Sequence, residues 1–388
     1  MATDLFQAPD YYNMDDLLNE EHKMVRDAAR DWVKKCISPI IEDACEKAEF
    51  PKQIVSGLGE IGAFGPYIPE EYGGAGLDQI SYGLIMQELE RGDSGVRSTA
   101  SVQSSLVMYP IYKYGTEEQR KKYLPKLATG EYLGCFGLTE PNHGSNPGGM
   151  ETNYKDMGDH YLLNGSKMWI SNAPFADVAV VWAKNEEGRI YGLIVERGME
   201  GFTTPETHGK WSLRASATGE LVFDNVKVPK ENLIGEINKG FYYIMEKFEL
   251  ERLILSTGAL ASAEYALTYG LQYMSEREAF NRPLNKFQEL RHRVAQLSSE
   301  LECLKAFNYQ ICQALQQKED VTKECAMTKL LCTEFMDKLS YQVLQFFGGY
   351  GYMEEYKAAR IFRDSRIGTI GGGTSEIMRE IIAKSIIG

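Results

Sequence analysis

The sequence predicts an α+β, multi-domain protein with a helical segment, then a small β-barrel or sandwich, then a helix bundle. The spacing of the apolar residues predicts this order. It is three to four positions up to about residue 127, near two from about 132 to 238, and helical again from about 239. The 388 residues, of which 43% are hydrophobic, supply apolar material for two or three domains. We expect domains at 1–131, 132–238 and 239–388.

The first segment is predicted to be helical. Apolar residues have helical spacing in MVRDAARDWVKKCISPII, and Pro39 is expected to end that helix. A glycine-rich loop, PEEYGGAGLDQ, precedes a second helical pattern that begins at ISYGLIMQELERGDSG. These features predict helices on both sides of one loop.

The middle segment is predicted to contain short strands. Runs with a period near two occur in YLGCFGLTE, HYLLNGSKMWISN, DVAVVWAK, RIYGLIVER and GELVFDNVKV. Turn residues punctuate these runs, and the pair Asn164-Gly165 is of the kind that forms a tight β-turn. Short strands with such punctuation predict a barrel or a sandwich.

The last segment is predicted to contain long helices at residues 240–275, 286–317 and 320–347. Near its end, IGTIGGGTSEIMREIIAK (367–384) places three glycines in front of a short apolar helix. Glycines allow a backbone to approach a ligand closely. This stretch therefore predicts a ligand contact made by the backbone.

Charge and composition argue against several classes of function. The net charge is −13, and the 42 basic and 55 acidic residues are mixed, so we expect no nucleic-acid partner. No stretch approaches the roughly 18 apolar residues of a membrane span, and the N-terminus is polar, so we expect a cytoplasmic protein without a membrane segment. Seven cysteines without a CxxC pair favour reduced thiols, and five scattered histidines predict no metal site.

An acidic residue interrupts the predicted inward face of the first long helix of the last segment. In GFYYIMEKFELERLILSTGAL the apolar stripe runs through Ile244, Phe248 and Leu255, and Glu251 lies between the last two. A carboxylate is costly to bury unless it is paired or functional. Glu251 could pair with a neighbouring arginine, the helix could be rotated so that Glu251 faces water, or Glu251 could act as a general base beside a ligand.

Three shorter motifs have ordinary structural explanations when each is considered alone. GLTEPNHGSNPGG (137–149) is turn-rich and could be a plain barrel loop, and KMWISN (167–172) could place Trp169 in a core. The two glycines of QFFGGYGY (345–352) could simply end a helix. None of these motifs identifies a function by itself.

Together, these motifs resemble one family. GLTEPNHGSN, KMWISN, SEREAFNRPLNKFQ, QFFGGYGY and GGGTSE occur in the order and at the spacing of the acyl-CoA dehydrogenase flavoproteins, and the resemblance covers essentially the whole chain. It implies an N-terminal helical domain, a middle β-domain and a C-terminal four-helix bundle. It also implies FAD in a cleft between the last two domains, and a homotetramer.

The resemblance assigns cofactor contacts residue by residue. The loop around the flavin and the CoA thioester arm corresponds to Phe136, Leu138, Thr139, Gly144 and Ser145. Trp169 and Ser171 resemble the pair that packs on the flavin ring and hydrogen-bonds to it. The remaining FAD contacts, several of them to the FAD of a neighbouring subunit, correspond to Arg277, Phe280, Gln288, Gln345, Gly348, Gly349, Thr374 and Glu376. Asn281 departs from the family, which usually has glycine there.

The resemblance also assigns the catalytic base. Most members have Tyr-Glu-Gly-Thr where this chain has residues 371–374, and that glutamate removes the substrate α-proton; here its position is Gly372. The branch with isovaleryl-CoA and long-chain acyl-CoA dehydrogenases carries the base inside a Leu-Glu-Arg stretch, which this chain has at 250–252. The resemblance therefore implies that Glu251 is the base and that Gly372 keeps a backbone N–H for the thioester carbonyl. Arg252 is expected to support a substrate, cofactor or subunit contact beside the base.

The acyl group is suggested by the first half of the chain, which resembles glutaryl-CoA dehydrogenase. In that enzyme an Arg-Ser pair binds the distal carboxylate; Arg97 and Ser98 match it, Glu90 matches the nearby acid, and Ser145 lies in the thioester loop. Val96 replaces the tyrosine of the decarboxylating members. We expect a short, medium or dicarboxylic acyl-CoA, although Arg97 could equally be structural.

Other functions fit the same motifs. An acyl-CoA oxidase would pass electrons to oxygen, whereas a dehydrogenase passes them to electron-transfer flavoprotein; the length of the chain favours the dehydrogenase. A non-catalytic paralogue that binds FAD or CoA would explain the missing base at Gly372. A purely structural helical protein would not need the flavin motifs.

Overall fold

The computed structural model describes residues 4–11, 13–235, 240–317 and 320–388, without the side chains of residues 241, 242 and 245–248. The predicted domain boundary at 238–239 and the side chain of Phe248 lie outside the described residues. The α-helices are α1 Glu20–Trp32, α2 Ile41–Lys47, α3 Val55–Glu60, α4 Gln79–Gly92, α5 Ser94–Ser101, α6 Tyr109–Tyr114, α7 Glu117–Thr129, α8 Gly240–Glu276, α9 Gln288–Gln316, α10 Thr322–Phe347, α11 Lys357–Ser365 and α12 Ser375–Ile387.

The strands lie mainly in the middle of the chain, as the alternating pattern predicts. They are β1 Gly134–Gly137, β2 Asn153–Asp156, β3 His160–Ser171, β4 Val178–Lys184, β5 Ile190–Glu196, β6 Phe202–Thr203, β7 Thr218–Pro229, β8 Leu233–Ile234, β9 Glu278–Ala279 and β10 Arg282–Pro283. All five predicted runs contain a strand. The short strands β2, β6, β8, β9 and β10 are not apparent from the alternation, because two to four residues are too few to establish a period.

The chain divides into two compact units. The first comprises residues 1–33, 83–94 and 249–388, and the second comprises residues 34–82 and 95–248. Both units are therefore discontinuous in sequence. The boundaries expected at 131–132 and 238–239, and the four-helix layout of the last domain, stay predictions.

An eight-stranded sheet forms the centre of the second unit. Its strand order is β6-β7-β3-β2-β4-β5-β8, and β1 pairs in parallel with β4. The predicted β-barrel is wrong, because among the described residues the end strands β6 and β8 do not pair with each other and the sheet is open. Closure requires the first and last strands to pair, a long-range property that local alternation does not encode.

The predicted turn at Asn164-Gly165 is also wrong. Strand β3 continues through both residues, and its pairing with β7 shifts register between Leu163 and Gly165. Gly165 has a φ of 134°, and an added Cβ would stand 2.6 Å from the Cα of Thr152. Glycine is therefore needed here for a bulge and a close backbone approach.

The core of the second unit consists of apolar side chains from the sheet, including Leu163, Val181 and Leu221. The amide of Gln103, in the helical stretch after α5, connects helices to this sheet. Its Nε2 donates to the carbonyls of Leu127 (2.9 Å) and Tyr132 (2.8 Å), and its Oε1 accepts from Gly134 N (2.7 Å). These bonds join the last turn of α7 to the start of β1 and give partners to backbone groups of Tyr132 and Gly134.

Long helices α8, α9 and α10 dominate the first unit, in agreement with the predicted helical stretches. A buried network of charges connects its helices. Glu264 on α8 pairs with Arg91 on α4 (2.6 Å) and with Lys305 on α9 (2.7 Å). Burial alone would raise the pKa of Glu264, but the two cations hold it below its ordinary value.

No helix in the described part of the chain is both long enough and apolar enough to cross a membrane. The seven cysteines are free thiols. Burial raises the pKa of Cys135, Cys325 and Cys332 to about 12, so these thiols stay protonated and unreactive near neutral pH.

Candidate active site

Glu251 lies on α8 inside the first unit, and 7% of its surface is exposed. Arg252, Leu253 and Ile254 are buried as well. Because α8 is buried on nearly every face at this level, the apolar stripe does not identify an inward face. The carboxylate is nonetheless held away from bulk water, which excludes the alternative of a solvent-facing Glu251.

Arg252 follows Glu251 and is also buried. Burial lowers its pKa below the ordinary value, while Cys325 and Glu249 act in the opposite direction. A guanidinium stays charged even so. α8 therefore carries an acid and a cation side by side in a largely dry environment.

The glycine loop at residues 371–373 packs against the same helix. Gly372 has a φ of 65°, and a Cβ added there would overlap Cδ1 of Leu255. Leu255 lies one helical turn after Glu251. Position 372 therefore favours glycine for its backbone conformation and for the space that Leu255 fills.

Hydrogen bonds hold the glycine loop at both ends. Gly371 N donates to Ile367 O (2.8 Å), and Lys329 Nζ donates to Gly373 O (2.6 Å). Thr374 caps α12, because its hydroxyl accepts from Ile377 N at 3.3 Å. Ser375 Oγ is buried and has no hydrogen-bond partner among the described residues, so a polar group stands available where the loop meets α12.

Sequence reasoning did not identify Lys329. Its neighbours on one face of α10 are Cys325, Cys332 and Met336, and all are buried. That spacing of three and four is the pattern that also singled out Glu251. A lysine inside this stripe was the available signal.

Glu90 faces α8 from the neighbouring helix. Ser94 Oγ donates to Glu90 Oε1 (2.5 Å), and a Cβ on Gly258 would stand 3.2 Å from Glu90 Oε2. Gly258 lies about two turns after Glu251 on α8. The first unit therefore brings Glu90 to the helix that carries the candidate base.

Arg97 and Ser98 belong to the second unit, on α5. Arg97 is 7% exposed, and its Nη1 donates to Ser101 Oγ at 3.3 Å. Ser98 is half-buried beside it, and Val96 is fully buried. The guanidinium is thus held on a buried helix whose position is fixed by packing.

A buried ion pair stabilises the GLTEPNHGSN loop. Lys167 Nζ contacts Glu140 Oε1 (2.8 Å) and donates to Leu138 O (3.2 Å). Glu140 also accepts from the backbone N–H groups of Glu151 (2.5 Å) and Thr152 (2.9 Å). Burial lowers the pKa of Lys167 to about 8 against the pull of Glu140, so the pair remains charged at neutral pH.

The predicted contact residues of this loop and of β3 differ in how far they are exposed. Phe136 and Leu138 are buried, Gly144 and Ser145 are exposed, and Ser171 is half-buried. Thr139 O accepts from Met168 N at 2.9 Å, which joins the loop to β3. Trp169 follows at a register shift in β3 with a φ of 62°, and it is 60% exposed. The bulge turns the indole out of the core.

A cavity of about 500 Å³ in the first unit contains part of the predicted set of FAD contacts. Arg277, Gly348 and Gly349 line it, together with Tyr273 and Phe347. Phe280, Gln288 and Gln345 are exposed and lie outside this lining. Phe280, at 90%, is among the most exposed large apolar side chains of the described chain.

Asn281 adopts a left-handed conformation with a φ of 58°. Among residues other than glycine, asparagine tolerates this region best. The departure from glycine therefore keeps the backbone geometry and adds a carboxamide.

These features fit FAD. Arg277 offers a cation beside two glycines whose missing side chains would meet only open space. Trp169 presents an exposed ring, and the loop before α12 presents backbone N–H groups and the unsatisfied Ser375 hydroxyl. An anionic, aromatic dinucleotide needs a cation, close backbone approach and a ring surface.

Comparison with known proteins identifies the family. The N-terminal, middle and C-terminal domain models of acyl-CoA dehydrogenase match residues 19–131, 135–226 and 238–387. A probable acyl-CoA dehydrogenase of Bacillus subtilis, YngJ, is 38% identical, with 95% of this chain and 99% of that protein covered. The CarC subunit of the caffeyl-CoA reductase–Etf complex of Acetobacterium woodii is 37% identical, with 95% and 99% covered.

A solved structure supports the same conclusion. Glutaryl-CoA dehydrogenase of Mycobacterium smegmatis in complex with FADH2 superposes with a TM-score of 0.94 at 35% identity and covers 97% of each chain. The matched family and the FADH2 complex of this structural neighbour define an FAD-dependent oxidoreductase. The chain belongs to the acyl-CoA dehydrogenase family.

Proposed function

We propose that the chain dehydrogenates an acyl-CoA thioester to the 2-enoyl-CoA, with Glu251 as the base that removes the α-proton. One observation carries the assignment. Glu251 is buried on α8, while Leu255, one turn further along that helix, fills the space that a side chain at position 372 would need. This packing supports a base on α8 rather than one in the glycine loop.

The chain supplies a group for each charge that the reaction develops. Glu251 takes the proton from C2, and negative charge moves onto the thioester oxygen. The backbone N–H of Gly372 donates to that oxygen, as in an oxyanion hole, where one donor contributes about 3–4 kcal/mol. When bound, FAD supplies the acceptor for the hydride that leaves C3. The proton ends on Glu251, and the product carries a C2–C3 double bond.

Trp169 with Ser171 would contact the flavin ring, and Arg277, with Gly348 and Gly349 completing its pocket, would contact the FAD of a neighbouring subunit. The flavin ring and the CoA thioester arm would be contacted by the loop residues Phe136, Leu138, Thr139, Gly144 and Ser145. Thr374 and Glu376 would contact the cofactor from the start of α12, and Phe280, Gln288 and Gln345 would do so from a neighbouring subunit of a homotetramer. Arg252, buried beside Glu251, would support a substrate, cofactor or subunit contact.

We also propose a short or medium acyl chain, and among these a dicarboxylic one bound by Arg97 and Ser98, with Glu90 as a further proposed substrate contact. The buried position of Arg97 supports this, because a guanidinium held by packing can bind a carboxylate through two parallel hydrogen bonds. A relative with solved structure is a glutaryl-CoA dehydrogenase.

Replacing Arg97 with Met tests the acyl group. For a dicarboxylic substrate, Arg97→Met lowers kcat/KM for glutaryl-CoA by about tenfold or more, the range expected for one lost charged hydrogen bond, and leaves butyryl-CoA nearly unchanged. Equal losses for both substrates assign Arg97 a structural role instead.

Electron-transfer flavoprotein is the proposed acceptor, in a homotetrameric, cytoplasmic enzyme. The relation to a subunit of a caffeyl-CoA reductase–Etf complex supports this acceptor. The same relation favours a second candidate, the reverse reduction of a 2-enoyl-CoA. Reduced enzyme mixed separately with electron-transfer flavoprotein, oxygen and 2-enoyl-CoA distinguishes the dehydrogenase, the oxidase and the reductase by the fastest reoxidation.

The decisive variant for the reaction is Glu251→Gln, compared with Glu249→Gln as a matched control. Glu249 lies two residues away on α8 and accepts a hydrogen bond from Thr322. Anaerobic mixing with a panel of acyl-CoAs should bleach the flavin of the wild type and of Glu249→Gln. In Glu251→Gln the rate should fall by about 10²–10⁴, the usual contribution of a general base. Bleaching at the wild-type rate rejects the base assignment, and bound FAD that no acyl-CoA bleaches favours a non-catalytic paralogue.

A further inference from the structure

Lys329 is the feature of the first unit that the proposed reaction does not yet use. It lies on α10, its surface is 0% exposed, and its neighbours Thr328 and Thr333 are buried with it. Burying an ammonium is costly unless a partner offsets the lost hydration. A lysine held at such a place needs a structural or functional reason.

The ammonium of Lys329 is directed at the glycine loop. Its Nζ donates to the carbonyl oxygen of Gly373 at 2.6 Å. Gly373 follows Gly372 and precedes Thr374, the cap of α12. One charge-assisted hydrogen bond therefore ties α10 to the residue next to the proposed oxyanion donor.

Charged groups from three helices face this ammonium. Burial, and then Arg252 from α8, lower the pKa of Lys329 to about 8, whereas Glu334 from α10 and Glu376 from α12 act in the opposite direction. Cys325 on α10 interacts electrostatically with Arg252. Its own pKa of about 12 keeps the Cys325 thiol neutral near pH 8. Lys329 is therefore the group of this cluster that changes charge just above neutral pH.

We propose that Lys329 is a positioning residue which, in its charged form, holds the glycine loop so that the Gly372 N–H faces the thioester oxygen. The expected effect of Lys329 on catalysis rests on the proposed function. Its effect on the glycine loop rests on the Lys329–Gly373 contact. Deprotonation leaves a neutral amine, whose hydrogen bond to a carbonyl is weaker than that of the ammonium. The loop is then held less tightly to α10, and the N–H of Gly372 is less well positioned.

Three variants separate charge, donor and packing. Lys329→Met keeps the length and removes both donor and charge, while Lys329→Gln keeps a neutral donor. Thr328→Val is the control, because Thr328 is equally buried on α10 but donates to Asn308 Oδ1 (3.1 Å) and not to the loop. Methionine removes a buried charge without changing the size of the side chain much, so folding should be preserved.

The first readout needs no substrate. Amide hydrogen exchange of residues 371–375 should accelerate about tenfold in Lys329→Met, the factor that loss of one charge-assisted hydrogen bond allows. It should stay at the wild-type rate in Thr328→Val. Unchanged exchange in Lys329→Met overturns the proposal, whether or not the enzyme turns over any acyl-CoA.

The second readout is the pH profile of flavin bleaching by a reactive acyl-CoA. The wild-type rate should fall as the pH rises through about 8, where Lys329 loses its proton. Lys329→Met should be about tenfold slower than the wild type at neutral pH, with no such fall, because an indirect effect is smaller than loss of an oxyanion donor itself. Lys329→Gln should lie between them. A fall in the bleaching rate near pH 8 that persists in Lys329→Met overturns the proposal. Bleaching at the wild-type rate in Glu251→Gln counts against the base assignment alone.

Discussion

Adding one methyl group at Gly372 tests the packing on which the base assignment depends. Gly372 has a φ of 65°, and an added Cβ would overlap Leu255 Cδ1. A residue other than glycine in the left-handed region costs about 1–2 kcal/mol. Overpacking adds about 1–3 kcal/mol, and the low end applies because Leu255 is half-buried and can shift. Gly372→Ala should therefore lower the free energy of unfolding by about 2–3 kcal/mol.

Gly371→Ala is the matched control for this substitution. Gly371 has no positive φ, and its added Cβ would stand 3.5 Å from Ile367 O, an ordinary contact. Its effect should stay within about 0.5 kcal/mol. Denaturant unfolding of Gly372→Ala, Leu255→Ala and the double variant measures the coupling, which should reach about 1 kcal/mol because Leu255→Ala removes the overlap. Equal effects of the two glycine variants, or strict additivity with Leu255→Ala, would refute the packing argument.

Substitutions at two further positions test the packing and backbone conformation of the first unit. Glu264→Gln should destabilise the protein by about 3 kcal/mol at pH 7, the low end for breaking a buried pair, because Arg91 and Lys305 lose one buried partner but keep Glu88 and Glu302. The pKa of Glu264 lies below its ordinary value in the folded protein, so its stabilisation is present above the unfolded pKa and is lost as the pH falls through the folded pKa. Unfolding of the wild type should show this acid-dependent loss, and Glu264→Gln should lack it; identical pH profiles would contradict the network. Asn281 has a left-handed backbone, so Asn281→Ala should lower the free energy of unfolding by about 1 kcal/mol and Asn281→Gly by less than about 0.5 kcal/mol. Both are measured by unfolding with FAD bound. Equal losses of stability would mean that the carboxamide of Asn281 matters more than its backbone conformation.

Local features of the fold could be predicted from the sequence. The long helices α8, α9 and α10 and the strands β3, β4, β5 and β7 follow from apolar periodicity, because each repeats its pattern several times within one element. The open sheet could not be predicted in the same way. Whether β6 and β8 meet depends on contacts between residues far apart in sequence, and each has only two residues.

The roles of individual glycines and of buried charged residues were harder to predict from the sequence. The Asn164-Gly165 pair matches a turn, but the nearby Thr152 backbone makes glycine necessary inside a strand, and that contact has no local signature. Glu251 was noticed because it interrupts an apolar stripe, although α8 is buried on nearly every face. Lys329 interrupts a stripe on α10 in the same manner. Its importance depends on a contact with Gly373, 44 positions further along the chain.

The most direct test of the central claim is exchange of the C2 hydrogens of an acyl-CoA with deuterated solvent, catalysed by the wild type and by Glu251→Gln. This exchange reports removal of the α-proton apart from hydride transfer. Our account predicts exchange by the wild type and by Glu249→Gln, and a loss of about 10²–10⁴ in Glu251→Gln. Exchange at the wild-type rate in Glu251→Gln would mean that another group removes the α-proton.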